Sequence, residues 1–190
     1  MGEAVDRMMA GVTDAMKDRT GRDLDEWVAV VQGSGLNPLD QKAVRTWLRT
    51  EHGVKQNSQW AIADAAAKAA GHRDPTLEEY VAEQYAGPKT ALRPIYDAVA
   101  QVAMGLGDDV SAEGRATYIP FVRRRQFAAV AAATRTRVDL GLRYTDPPAN
   151  KRLLSKGLPG QATHRVALES VGDVDSEVVD LLHAAYEQNG

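Results

Sequence analysis

Eleven arginines and lysines crowd residues 115–165: Arg115, Arg123, Arg124, Arg125, Arg135, Arg137, Arg143, Lys151, Arg152, Lys156 and Arg165. Only two acids, Asp139 and Asp146, accompany them, a local balance of +9 in a chain whose net charge is −3. Like charges gathered on one small element repel and destabilise the compact state. An anion close by would relieve that repulsion: a nucleic acid, a phosphorylated ligand, or acidic parts of the same chain. Arginine suits such contacts because its planar fork matches carboxylate and phosphate oxygens. Arg123-Arg124-Arg125 reads as a tight connection between two strands, a place where charge also keeps a sheet edge from aggregating. Arg135, Arg137 and Arg143 share one parity on a neighbouring strand, so three guanidinium groups are expected on one face. His164 and Arg165, on a further strand, complete the candidate anion-binding set.

A second set lies nearer the start. Around residues 43–69 a helix ends at Glu51-His52, Gly53 turns, Val54 is buried, and a new helix begins. That punctuation fits a helix-turn-helix, which would put Lys55, Gln56, Asn57, Ser58 and Gln59 at the leading end of a reading helix. Those residue types contact phosphates and bases. Residues 1–86, however, hold ten Lys and Arg against fourteen Asp and Glu, a poor balance for a self-sufficient DNA binder. An α-hairpin in a small bundle is the plainer reading.

No pattern in the chain spells out catalysis. There is no Cys, so thiolate and disulfide chemistry are excluded. Gly33-Ser34-Gly35 is not continued as a dinucleotide fingerprint, Gly157-Leu158-Pro159-Gly160 is not followed by Lys-Ser/Thr, and no G-x-S-x-G elbow occurs. His52, His72, His164 and His183 include no i,i+3 or i,i+4 pair, the spacing a helical metal site needs. Asp108-Asp109 with Glu113 reads as a solvated turn rather than a cation site. No catalytic residue, metal or cofactor is therefore expected. A cysteine-free chain with no apolar run near the roughly 18 residues of a span, and no signal-peptide pattern at Met1–Asp6, points to the cytoplasm and not to a membrane.

Helices must position the first set of residues and strands the second. Val5, Met8, Met9, Val12 and Met16 recur at helical spacing. Asp23 and Glu26 form a capping-box start for a helix bearing Leu24, Trp27, Val28 and Val31. Pro38 opens the next, with Leu39, Ala43, Val44, Trp47 and Leu48 facing inward. Asn57 or Ser58 caps a fourth on Trp60, Ala61, Ile62, Ala65 and Ala66. Thr76 and Glu79 start another helix, and a long one runs from Lys89 to Leu106. The period then changes to strands: Tyr118–Val122 with Pro120 marking an edge or bulge, Gln126–Ala133, a half-buried 138–144, and His164–Leu168. Asp173 or Asp175 caps a last helix on Val178, Leu181, Leu182 and Ala185. The expected fold is α+β: a helical bundle over 1–72, a connecting helix and linker over 73–88, then a small antiparallel sheet with flanking helices over 89–190.

Particular segments carry two resemblances. Lys17-Asp18-Arg19-Thr20-Gly21, Glu26-Trp27, Gly35-Leu36, Trp47-Leu48 and Glu51-His52-Gly53 resemble the helical bacterial family called domain of unknown function 4287. That family often follows its Gly with a His-containing turn, where this chain has Gly53-Val54-Lys55-Gln56-Asn57. Tyr118-Ile119-Pro120-Phe121, Gln126-Phe127-Ala128, Val138-Asp139-Leu140-Gly141-Leu142, Thr163-His164-Arg165-Val166 and Ala184-Ala185-Tyr186 resemble domain of unknown function 5655. The resemblance implies an α domain followed by an α+β domain and supplies no catalytic residue. The expectation for function is a non-catalytic protein whose basic C-terminal sheet binds an anionic partner, nucleic acid first. The alternatives are a carboxylate or phosphate pocket between the domains, binding or catalytic, and a basic sheet that is only an interface with the acidic first domain.

Overall fold

The computed structural model describes residues 15–190. The chain divides into two compact units, one ending at Asp74 and one running from Pro75 to Gly190. The helical stripe through Val5, Met8, Met9 and Val12 lies outside the described residues; its last member, Met16, is fully buried.

Four described helices build the first unit: α1 (Met16–Thr20), α2 (Leu24–Gly33), α3 (Gln41–His52) and α4 (Gln56–Ala69). The Asp23–Glu26 capping box starts α2 through both reciprocal hydrogen bonds, at 2.9 and 2.8 Å. Asp40, not Pro38, starts α3, its carboxylate accepting from the Ala43 N–H at 3.0 Å. Leu39 therefore precedes the helix and is 54% exposed instead of facing inward. The core gathers Met16, Trp27, Val31, Val44, Leu48, Val54 and Ile62. Trp27 satisfies its indole N–H on Thr20 Oγ1 at 2.7 Å, tying α2 to the end of α1. Trp60, expected in the core, is instead 44% exposed, with the Arg45 guanidinium 3.5 Å above its ring. Its neighbours Ala61, Ile62 and Ala63 are the buried residues on this part of the helix.

In the second unit α5 (Leu77–Gln84), a 3₁₀ turn (Gly87–Leu92) and α6 (Arg93–Met104) precede five strands. Helix α5, expected as part of a connector, contributes Val81 to this unit's core. The long helix expected from Lys89 begins as the 3₁₀ turn, with Pro88 near its start, and becomes α-helical at Arg93. The strands are β1 (Ser111–Ala112), β2 (Ile119–Val122), β3 (Gln126–Ala131), β4 (Val138–Leu142) and β5 (His164–Leu168). They form an antiparallel meander in chain order. A second 3₁₀ turn (Val171–Asp173) and α7 (Ser176–Glu187), capped by Asp175, follow.

Register assigns the two faces of the sheet. Phe121↔Ala128↔Leu142, Ile119↔Val130↔Leu140 and Leu140↔Val166 align on the face that shares a core with Ile95 and Val99 of α6 and Val178 and Leu182 of α7. The β2–β3 register shifts between Phe121 and Val122, and there Phe127 joins the core as well, edge-on to Tyr186. The opposite face holds Ala129, Ala131, Asp139, Gly141 and Arg165.

Strand β4 corrects an expectation. It is not half-buried: all five of its residues are buried. The reason is the return loop between Tyr144 and Thr163, which folds over the outer face. Leu154 pairs with Arg165 through two backbone hydrogen bonds of 2.9 and 2.8 Å, pinning the loop to the β5 edge. Pro159 and Ala162 then lie directly over Gly141, where a Cβ would come within 2.6 Å of Pro159 Cγ and 2.7 Å of Ala162 Cβ. Gly141→Ala should therefore lift the loop and cost about 1–3 kcal/mol, the usual penalty of overpacking. Urea denaturation of the purified variant measures it, and an unchanged midpoint would show that the loop does not bear on the sheet.

Candidate anion-binding site

The arginines of residues 115–165 are largely spent on the second unit itself. Arg123 donates from Nε to Asp109 at 2.7 Å and lies 4.0 Å from the ring of Tyr186, whose hydroxyl donates to the same carboxylate at 2.8 Å. Arg125 donates to the Gln188 carbonyl at 3.0 Å. Arg137 and Arg165 converge on the buried Asp139 at 2.9 and 3.0 Å. Arg143 donates to Gln161 at 2.6 Å, Arg115 to Glu113 at 2.6 Å, and Arg152 to Asp175 and Glu177 at 2.9 and 3.2 Å. Arg124 and Arg135 are exposed and have no ion pair among the described residues.

Two expectations about this set change. Arg135, Arg137 and Arg143 all lie outside β4, Arg135 within the β3–β4 connection and the other two at either end of the strand, so the expected row on one strand is not formed. Arg137 is turned toward Asp139, two residues on and on the same face, rather than toward an external anion. Charge accounts for the arrangement: residues 75–190 hold thirteen Lys and Arg against fifteen Asp and Glu. The acids that balance the basic stretch lie before and after it in sequence, at Asp109, Glu113, Asp175 and Glu177. His164 is half-buried at the sheet edge, its Nδ1 3.1 Å from Thr163 Oγ1 and its ring 5.9 Å from that of Tyr144. Clefts of about 620 and 290 Å³ in this unit take in Arg135 and Asp139 respectively, but neither His164 nor the hairpin arginines. Among the described residues no group of three His, Asp or Glu side chains could hold a metal ion.

The first unit presents a different surface. Helix α3 ends on Gly53, whose φ of 62° is the left-handed value that lets its N–H and that of Val54 turn back onto Arg49 and Leu48 carbonyls. The side-chain amide of Gln59 clamps the Val54 carbonyl at 2.6 Å. The chain is thus brought through a three-residue turn into α4. Residues Arg19, Thr20, His52, Gly53, Val54, Lys55, Gln56, Asn57 and Ser58 line a cavity of about 700 Å³ there. Its electrostatics are one-signed among the described residues: Arg19 and Lys55 are cations, and no described Asp or Glu lines it.

The start of α4 itself adds to this. Lys55 occupies the cap position and provides no side-chain cap, unlike Asp23, Asp40, Thr76 and Asp175 at the starts of α2, α3, α5 and α7. The first intrahelical bond is from Gln59 N–H to the Lys55 carbonyl. The N–H groups of Gln56, Asn57 and Ser58 consequently have no acceptor within the helix, and the positive end of the helix dipole lies beside them. Ser58 is 3% exposed, lines the cavity, and its hydroxyl has no hydrogen-bond partner among the described residues.

Of the five residues expected to lead a reading helix, Lys55, Gln56 and Asn57 are exposed. Ser58 and Gln59 turn inward, which removes them from any reach toward bases. Sequence reasoning did not connect Arg19, Thr20 and His52 with this turn. The available signal was that the segments 17–21 and 51–53 both belong to the stretch that resembles one helical family.

With the geometry in place, comparison with known proteins is direct. The chain consists of a helical unit followed by an α+β unit with an antiparallel meander. It belongs to the family described as Domain of unknown function (DUF5655), whose model matches residues 81–189, more than half of the chain. A second family, Domain of unknown function (DUF4287), matches residues 9–67. Both resemblances read from sequence are therefore found, in the expected order. No curated protein and no solved structure matches the chain.

Two stability predictions follow from the ion pairs. Hydrogen bonds from Arg123 and then Tyr186 hold the Asp109 carboxyl below its usual range, and backbone N–H groups do the same for Asp173 and Asp175. A carboxyl whose folded pKa lies below its unfolded pKa stabilises the fold above the unfolded value and loses that effect as pH falls through the folded value. Thermal melts should be level from neutral pH to about 5 and drop below about pH 4; a melting temperature flat to pH 2.5 would contradict this. Asp139→Asn should cost about 3 kcal/mol, the low end for breaking a buried ion pair, because Arg137 stays 32% exposed. Denaturant midpoints compared with the parent chain provide the measurement.

Proposed function

We propose that this is a cytoplasmic, non-catalytic binding protein for an anionic partner, and that the anion is received by the first unit at the start of α4. The observation that carries this reading is the cavity's charge: Arg19 and Lys55 beside an uncapped 14-residue helix, with no acidic residue lining it among the described residues. Helix starts of this kind bind phosphate and carboxylate groups through free N–H groups and the dipole together. The chain carries no cysteine, which suits a reducing compartment. Its composition and both family resemblances suit a bacterial source. Among the described residues no helix is long and apolar enough to cross a membrane.

A second reading keeps the anionic partner, a nucleic acid, on the basic sheet. It is favoured by Arg124 and Arg135, which are exposed and without an ion pair among the described residues. The other five arginines of that set are already engaged within the unit, so the first reading is preferred.

Charge reversal separates the two. Full-length protein is titrated with sulfate, pyrophosphate, single-stranded RNA and duplex DNA at low salt. Arg19→Glu with Lys55→Glu should abolish binding of whichever anion binds the parent. Reversal of Arg124 and Arg135 should leave it within about twofold, because neither residue lines that cavity. The opposite pattern, together with a steep salt slope of roughly 0.9 log units per phosphate contact on DNA, would transfer the function to the sheet.

A further inference from the structure

The same cavity indicates which kind of anion it takes. This inference rests on the preceding reading and goes beyond it. We infer that the cavity binds the terminal phosphate of a phosphomonoester, rather than the phosphodiester backbone of a nucleic acid.

Three features lead there. The first is depth. Gln56 and Asn57 at the start of α4 are exposed, whereas Ser58 is 3% exposed and still lines the cavity. Its hydroxyl has no hydrogen-bond partner among the described residues and is left open to the cavity as a donor. A group reaching Ser58 must enter end-on. A phosphate at the end of a molecule has one covalent attachment and can do so. A phosphate within a chain has two attachments, one on each side, and is held at the rim.

The second feature is valence. A monoester carries about −1.5 to −2 at neutral pH and three terminal acceptor oxygens. The site offers two basic side chains, Arg19 and Lys55, with the Ser58 hydroxyl and the free N–H groups of the first turn of α4 as donors. A diester brings one negative charge and two terminal oxygens, and would leave part of that donor set unused.

The third is size. About 700 Å³ lies within the range of small-molecule pockets, roughly 300–1,000 Å³, and far exceeds a bare tetrahedral anion. An organic remainder has a wall to lie on: the His52 ring, itself braced edge-on by Trp27 at 5.2 Å and Trp47 at 4.5 Å between centroids.

The test uses one oligonucleotide in two forms. A short single strand labelled at its 3′ end is prepared with a 5′-phosphate and with a 5′-hydroxyl, and anisotropy is read with the full-length protein. The 5′-phosphorylated form should bind at least about tenfold more tightly, the ratio set by one or two charge-assisted hydrogen bonds. Inorganic phosphate and ribose 5-phosphate should both displace it. Ser58→Ala should weaken binding of the phosphorylated strand about tenfold or more on the same basis. Arg19→Gln, on an exposed side chain that leaves the fold intact, should do the same if the Ser58 variant is poorly folded. Equal binding of the two strands would overturn the monoester inference while leaving anion binding in place. Failure of ribose 5-phosphate to displace the strand would overturn it too, as would a 5′-phosphate preference that survives both substitutions. Absence of binding by every anion tried, sulfate and pyrophosphate included, would remove the underlying reading as well.

Discussion

The second unit depends on one buried acid. Asp139 lies on the outer face of β4, 3% exposed, with Arg137 and Arg165 donating to it from just before that strand and from the next. A charge taken out of water must be paired and hydrogen-bonded, or the burial costs several kcal/mol. Both guanidinium groups meet that demand. Arg165 is fixed further by the Lys156 carbonyl at 2.6 Å, within the loop that closes over the face. Sheet, ion triad and loop are therefore mutually dependent: the loop buries the acid, the acid holds the arginines, and one of those arginines holds the loop.

The same logic runs through the rest of this unit. Its basic stretch carries few acids of its own, but its flanks are acidic, and folding brings them together. Arg123 reaches back to Asp109, Arg152 forward to Asp175 and Glu177, and Arg125 to the backbone at the end of α7. Exposed pairs of this sort are individually worth little, commonly below about 1 kcal/mol. Their effect here is on availability: an arginine already donating to its own chain has fewer free donors for a partner. Local charge counts overstate binding capacity whenever the compensating acids are remote in sequence.

The first unit shows the converse. Its overall charge is unremarkable, yet it holds a helix start without a side-chain cap beside a cavity lined by Arg19 and Lys55. Helices α2, α3, α5 and α7 are each started by a side chain that accepts from the first turn; α4 is started by Lys55, which cannot. A lysine there adds positive charge to the positive end of a dipole, unfavourable for an isolated helix and favourable once an anion is present.

Much of the fold was legible from local rules. The capping boxes at Asp23 and Thr76, the glycine at 53, the strand periodicity of 138–142 and the β2–β3 turn at Arg123–Arg125 all act over a few residues, and the structure has each of them. The misreadings concern which side of an element is covered and what a side chain meets. Trp60 faces outward, while Ala61, Ile62 and Ala63 are the buried residues beside it. Strand β4 is buried on both faces because a loop some twenty residues further on returns over it. Arg135 and Arg137 part company because one lies within a connection and the other, at the end of β4, meets Asp139. By itself the sequence determined element types, their order, the antiparallel meander and the two family resemblances, since these follow from propensity, period and caps. Which arginines are consumed and which groups remain open was decided only by tertiary structure. Asp109 and Arg123, or Arg19 and Ser58, become neighbours only after the chain has closed loops whose pairings no short-range pattern encodes.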